Sequence, residues 1–213
     1  MSFENAYKIP TQSGNLSLRV VPGHFATSHS HINYYIDLTM PKARLSEASE
    51  IAKELVSHYN ASTVVDAILC LDGTEVIGTC LATELTEGGF VNVNAHQTIY
   101  VVTPEHTAGS QLIFRDNTAP MISGKHVLIL AASVATGYTV KSAAEAVQYY
   151  GGQVVGVCSI FATLDHCAGQ EVRSIFDPKD LEGYASYPSH ECPLCKAGKK
   201  IDGLVNSFGF SKL

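Results

Sequence analysis

No apolar run in this 213-residue chain reaches the roughly 18 residues that a membrane-spanning helix needs. The opening MSFENAYKIP has neither the charged nor the apolar region of an export signal, so a cytoplasmic protein is expected. Basic clusters are missing too. Beyond Lys199-Lys200 there is no concentration of lysine or arginine, and the net charge of −6 argues against a nucleic-acid surface. No internal repeat, low-complexity tract or linker stands out, so one domain spanning 1–213 is expected.

What is present suits a well-buried globular α/β protein: 46% hydrophobic and 16% charged residues. Six cysteines allow three disulfides. Cys70, Cys80 and Cys158, however, lie inside apolar segments and read as reduced core thiols. Only Cys192 and Cys195 stand as a spaced pair.

The strongest local signal is VLILAASVATGYT, residues 127–139. Val127, Leu128, Ile129 and Leu130 fit a strand buried on both faces, followed by small residues and then Thr136-Gly137-Tyr138-Thr139. A helix follows at once, because Val140, Ala143, Ala144, Val147 and Tyr150 recur at helical spacing before the Gly151-Gly152 stop. Such a turn aims bare N–H groups and the positive end of the helix dipole at whatever lies over it, which makes an anion site. Thr136 and Thr139 add hydroxyls, and Gly137 permits a positive φ. Many α/β proteins nevertheless carry such a turn without a ligand.

Elsewhere Leu16, Leu18 and Val20 alternate as in a strand, and Pro22-Gly23 is expected to turn the chain. His24, His29 and His31 are candidate metal ligands without a partner carboxylate at fixed spacing. Leu45 to Tyr59 reads as an amphipathic helix and Thr63 to Leu71 as a buried strand. Asp72-Gly73-Thr74 then turns into a helix facing inward through Val76, Ile77, Cys80, Leu81 and Leu85. Thr98–Thr103 and Gln111–Phe114 read as two strands of a hairpin, and Gln153–Ala162 completes the spacing of a parallel sheet. The Cys192-Pro-Leu-Cys195 turn is half of a zinc knuckle, with His190, and either His166 or Cys167, as further ligands. A reduced structural pair and a redox dithiol remain alternatives.

This order of features resembles the type I phosphoribosyltransferases, and among them the orotate phosphoribosyltransferases. In their signature an apolar strand runs through two acidic residues into a T-x-G-x-T-like loop. The acidic pair, which holds the ribose hydroxyls of phosphoribosyl pyrophosphate, falls here on Ala131 and Ala132, so the motif is degenerate. The resemblance implies an α/β fold with a central, mostly parallel five-stranded sheet flanked by helices. A small N-terminal hood would span 1–41 and a Cys-x-x-Cys tail 186–213. It implies a 5′-phosphate on Ser133, Val134, Ala135, Thr136, Gly137, Tyr138 and Thr139, and pyrophosphate near Asp72, Gly73, Thr74 and Glu75. Phe25, Ser28 and Tyr35 would serve as base-side hood residues. It also implies Mg2+ with the phosphoribosyl donor, a homodimer, and leaves the catalytic residues unassigned.

The family's mobile loop carries lysines, whereas IYVVTPEHTAGSQLIFRDN offers only His106 and Arg115, opposed by Glu105. Two functions therefore stay open. One is transfer of a phosphoribosyl group to a nitrogenous base; the other is a regulatory module that binds a nucleotide or phosphoribosyl ligand without turnover. An acid/base pair of Glu105 and His106 is a third, requiring a loop in which the two converge.

Overall fold

The computed structural model describes residues 5–11, 13–87, 92–107 and 111–213. It divides into two compact units, Pro41–Ile175 and the pair of segments Met1–Met40 with Phe176–Leu213. The N-terminal and C-terminal segments thus make a unit together.

In the larger unit the sheet runs in the order Tyr100–Val102, Ala67–Cys70, His126–Val134, Gln153–Ala162, Gln170–Phe176, ending in the short His166–Cys167. The first four strands are parallel. Their near-continuous apolar runs follow from burial on both faces, since Ile68, Leu69, Leu128 and Ile129 are all fully buried. Three helices, Leu45–Val56, Glu75–Thr86 and Tyr138–Tyr149, bury their apolar faces in the same unit. The first stops three residues before the expected Tyr59. In the second, Gly78 packs so tightly that an added Cβ would overlap the Cys70 sulfur.

The central strand runs through its small residues to Val134, because the neighbouring strand runs on to Ala162 and supplies partners, Ser133 against Phe161 and Val134 against Ala162. One strand expectation needs correction. Residues 98–103 do not form a hairpin arm. Tyr100–Val102 joins the parallel sheet beside Ala67–Leu69, and the antiparallel pair is Glu105–His106 with Leu112–Ile113. Pro104, which has no N–H to donate, separates the two pieces. Residues 108–110 of the connecting loop lie outside the described residues.

The central strand starts at an ion pair. The Asp66 carboxylate accepts from the His126 N–H and from its Nδ1, each at 2.8 Å. Burial by itself would raise the Asp66 pKa, but the His126 hydrogen bonds and charge, with Lys125, hold it below the ordinary value of 3.8. A carboxyl depressed by folding stabilises above its unfolded pKa and loses that contribution as pH falls through the folded value. Asp66→Asn is therefore expected to cost on the order of 1 kcal/mol near neutrality, with the difference from the parent fading as pH falls through the lowered Asp66 value. Urea midpoints across that range measure it.

In the smaller unit the sheet order is Ser186–Tyr187, His31–Asp37, Ser17–Ala26, Gly203–Asn206, Gly209–Lys212, with Tyr7–Pro10 also on Ser17–Ala26. Parallel pairing of Gly203 with Phe25 and Leu204 with Ala26 joins the two ends of the chain. Pro22-Gly23 does not reverse the chain; the strand passes through with an irregularity between Pro22 and Phe25, where a proline is tolerated. Val21, Phe25, Ile32 and Tyr35 form the core, with Tyr184 and Phe210 against it.

Candidate functional site

At the carboxyl end of the central strand, residues 135–137 turn into the helix Tyr138–Tyr149. Gly137 takes φ 75°, and a Cβ there would stand 2.7 Å from Cys167 Sγ and 3.2 Å from Leu164 Cδ1. Thr163 pins the turn, its hydroxyl donating to the Ala135 carbonyl at 2.7 Å and its N–H to the Val134 carbonyl at 2.9 Å. Thr136 in the turn and Tyr138 and Thr139 on the first helical turn are exposed, the arrangement that suits a phosphate. Ser133 and Val134 are ladder residues, so the loop itself narrows to 135–139. Cys167 lies under this loop, its Sγ 3.5 Å from the Gly137 carbonyl, and takes no part in the Cys192–Cys195 knuckle.

The neighbouring loop follows the strand Ala67–Cys70. Asp72 and Gly73 both adopt positive φ, 59° and 79°. Lys42 Nζ donates to the Asp72 carbonyl at 2.8 Å. Burial raises the Asp72 carboxyl pKa, while Lys42, His106 and a hydrogen bond from the Ala132 N–H pull it down. That N–H belongs to one of the two positions where the signature has acids. Burial lowers the Lys42 pKa, against the opposing pull of Asp72 and Glu75.

Thr74 is buried, and its hydroxyl donates to the Leu71 and Leu130 carbonyls at 2.8 and 3.1 Å. Its side chain ties two strands together and does not face a ligand. Glu75 is exposed and accepts from the Thr103 hydroxyl at 3.2 Å. Lys42, which sequence reasoning passed over, signalled itself only as a lone lysine after Pro41.

The hairpin does not make an acid/base pair. Arg115 donates to both Glu105 oxygens, at 2.7 and 2.6 Å, and these bonds hold the Glu105 carboxyl below its usual range. His106 instead acts on Asp72.

The base-side residues sit in the smaller unit. Phe25 and Tyr35 are 1% and 5% exposed and pack on Phe210, as core residues of that unit. Their rings are too well covered there to present a face to a base, which corrects that expectation. Ser28 stands exposed in the turn between Thr27 and Ser30.

That unit also gathers His24, His31, Cys192 and Cys195, whose ligating atoms all lie within 4.8 Å of one another. His190 is outside this group; it is exposed, with Nε2 3.3 Å from the Glu191 carboxylate. His29 is exposed on the 27–30 turn. Burial, with His24 adding to it, lowers the His31 pKa. Cys70, Cys80 and Cys158 carry free thiols, as expected, and burial pushes the Cys70 thiol up to about 12.

No protein-family profile matches the chain. It is 28% identical over 186 residues to the orotate phosphoribosyltransferase of Chlorobaculum parvum, covering 86% of this chain and 87% of that one. It is 27% identical over 187 residues to that of Chlorobium phaeobacteroides, with the same coverage. Its fold is similar to the crystal structure of Mycobacterium tuberculosis orotate phosphoribosyltransferase, with a TM-score of 0.54 and 21% identity over 78% of this chain and 93% of the other. No helix of the described residues is long and apolar enough to cross a membrane.

Proposed function

We propose that this chain is a type I phosphoribosyltransferase and transfers a phosphoribosyl group from phosphoribosyl pyrophosphate to a nitrogenous base, a reading supported by its likeness in sequence and fold to orotate phosphoribosyltransferases. The observation that carries this reading is the Gly137 turn, a left-handed residue that opens the first turn of Tyr138–Tyr149 toward an anion and flanks it with exposed Thr136 and Thr139. In this reading the 5′-phosphate accepts from those N–H groups and hydroxyls. Asp72 takes the part of the missing acids and accepts from a ribose hydroxyl. Lys42 and His106, both beside Asp72, meet the negative charge that grows on the departing pyrophosphate.

The carboxylates of Asp72 and Glu75, both near Lys42, form a donor set suited to Mg2+, which leans on one or two carboxylates plus substrate phosphates. Bound there with the donor, the ion would neutralise pyrophosphate charge. A cytoplasmic homodimer belongs to the same reading.

A second reading, a module that binds a nucleotide or phosphoribosyl ligand without turnover, is favoured by one observation. Arg115, a cation of the hairpin, is taken up by Glu105. Calorimetric titration separates the two. Phosphoribosyl pyrophosphate with Mg2+ is expected to bind, and Thr136→Val with Thr139→Val to weaken it by roughly tenfold, about 1.4 kcal/mol for two lost hydrogen bonds. Binding of orotidine 5′-monophosphate and ribose 5-phosphate alone, with no turnover of the donor, selects the second reading. Binding of none of the three sinks both.

A further inference from the structure

His24 and His31 come from the adjacent strands Ser17–Ala26 and His31–Asp37, while Cys192 and Cys195 bracket the first turn of the short helix Pro193–Lys196. The separations are those of a coordination polyhedron. His24 Nε2 lies 3.2 Å from His31 Nδ1, 3.5 Å from Cys192 Sγ and 3.6 Å from Cys195 Sγ, and Cys195 Sγ lies 3.2 Å from His31 Nδ1. A tetrahedral zinc with bonds of about 2.05 Å to nitrogen and about 2.3 Å to sulfur has N–N edges of roughly 3.3 Å and N–S edges of roughly 3.6 Å. The four measured edges lie within about 0.4 Å of these values.

The proton positions agree. His24 Nδ1 faces the Lys199 and Lys200 carbonyls, at 2.9 and 3.2 Å. Carbonyls only accept, so Nδ1 carries the hydrogen and Nε2 is the ring nitrogen left to face the cluster as a ligand. This outer hydrogen bond is how a ligating histidine is usually oriented. Asp202 anchors the same residue from the tail, its carboxylate accepting from the His24 N–H at 2.8 Å. Cys192 is 1% exposed and His24 fully buried. His31 is half-buried and Cys195 exposed. Two thiolates and a divalent ion cancel in charge, which makes burial of the inner half of such a cluster tolerable.

We propose that His24, His31, Cys192 and Cys195 bind one Zn2+ in a closed, structural Cys2His2 site that staples the first strands of the chain to its tail. Four protein ligands leave no open position for substrate, so the ion acts on folding and not on the reaction. The site stands independently of the phosphoribosyl reading.

The test is metal analysis of full-length protein purified under reducing conditions without chelator. About one zinc per chain is expected in the parent and in His190→Ala, and roughly a tenth of that or less in Cys195→Ser and His31→Ala. Should those two variants fail to fold, the parent stripped by a chelator and refilled with Co2+ is expected to show the visible absorption of a tetrahedral thiolate site. Retention of zinc by Cys195→Ser, its loss from His190→Ala, or a parent that takes up neither Zn2+ nor Co2+ would overturn the assignment.

Discussion

Ala131→Asp is expected to destabilise the 41–175 unit rather than to restore affinity for phosphoribosyl pyrophosphate. Ala131 is fully buried in the core that also holds Leu69, Ile129, Val157 and Val134. Its neighbour across the ladder is Ser159, also fully buried, whose hydroxyl already donates to the Phe161 carbonyl. A carboxylate added there would stand among the apolar side chains of that core, and leaving a buried charge unpaired costs about 3–5 kcal/mol, a large share of a typical domain's stability. The melting temperature should fall on the order of 10 °C.

Ala132→Asp should be milder at first but no more useful. Its side chain points to the opposite face of the strand, and its N–H already serves the Asp72 carboxylate, so the new acid is placed beside an existing one. The two acids would raise each other's pKa, and donor affinity should fall or stay level. If Ala131→Asp melts like the parent and tightens binding of the donor, the alanines are a recent loss from an intact site and Asp72 has not taken their place.

Much of this arrangement was legible in the sequence. The apolar runs 127–130 and 153–162, separated by a helix of period 3.6, could only be neighbouring parallel strands, and the Gly137 turn between strand and helix followed. What periodicity misses is the contact made by residues far apart in the chain. The histidines of the second and third strands and the Cys192–Cys195 knuckle were each visible as half a site. Nothing local said that strand Gly203–Asn206 runs parallel to Ser17–Ala26 and carries the tail to the hood. Spacing rules therefore favoured His190, two residues from Cys192, over His24, which lies 168 residues away.

The same reason hid the partner of Asp72, which the resemblance placed on the pyrophosphate side. As a residue before a glycine it reads as plain turn chemistry, and only the pairing of Cys70 with Leu130 brings it to the Ala132 N–H. Thr74 is the N-cap residue of the helix Glu75–Thr86, but its hydroxyl turns inward to the Leu71 and Leu130 carbonyls, a contact that its place in the sequence does not show.

Gly137→Ala carries the second large effect, because two separate costs fall on one methyl group. The first is backbone strain: a non-glycine residue at φ 75° loses about 1 kcal/mol. The second is overlap, since the Cβ would stand 2.7 Å from Cys167 Sγ and 3.2 Å from Leu164 Cδ1, and Cys167 is itself buried. Overpacking of this kind adds about 1–3 kcal/mol, for a total of about 2–4 kcal/mol.

Gly169 separates the two terms. It takes the same φ of 75° with nothing within 4 Å of an added Cβ, so Gly169→Ala is expected to show the strain alone. Adding Cys167→Ala to Gly137→Ala should recover most of the overlap term and none of the strain, so the pair will be non-additive. Binding should follow the loop rather than global stability: the methyl displaces the turn whose N–H groups face the phosphate, and affinity for phosphoribosyl pyrophosphate should drop at least tenfold in Gly137→Ala and not in Gly169→Ala. Equal affinity in the two variants, both folded, would move the phosphate site away from the 135–139 loop.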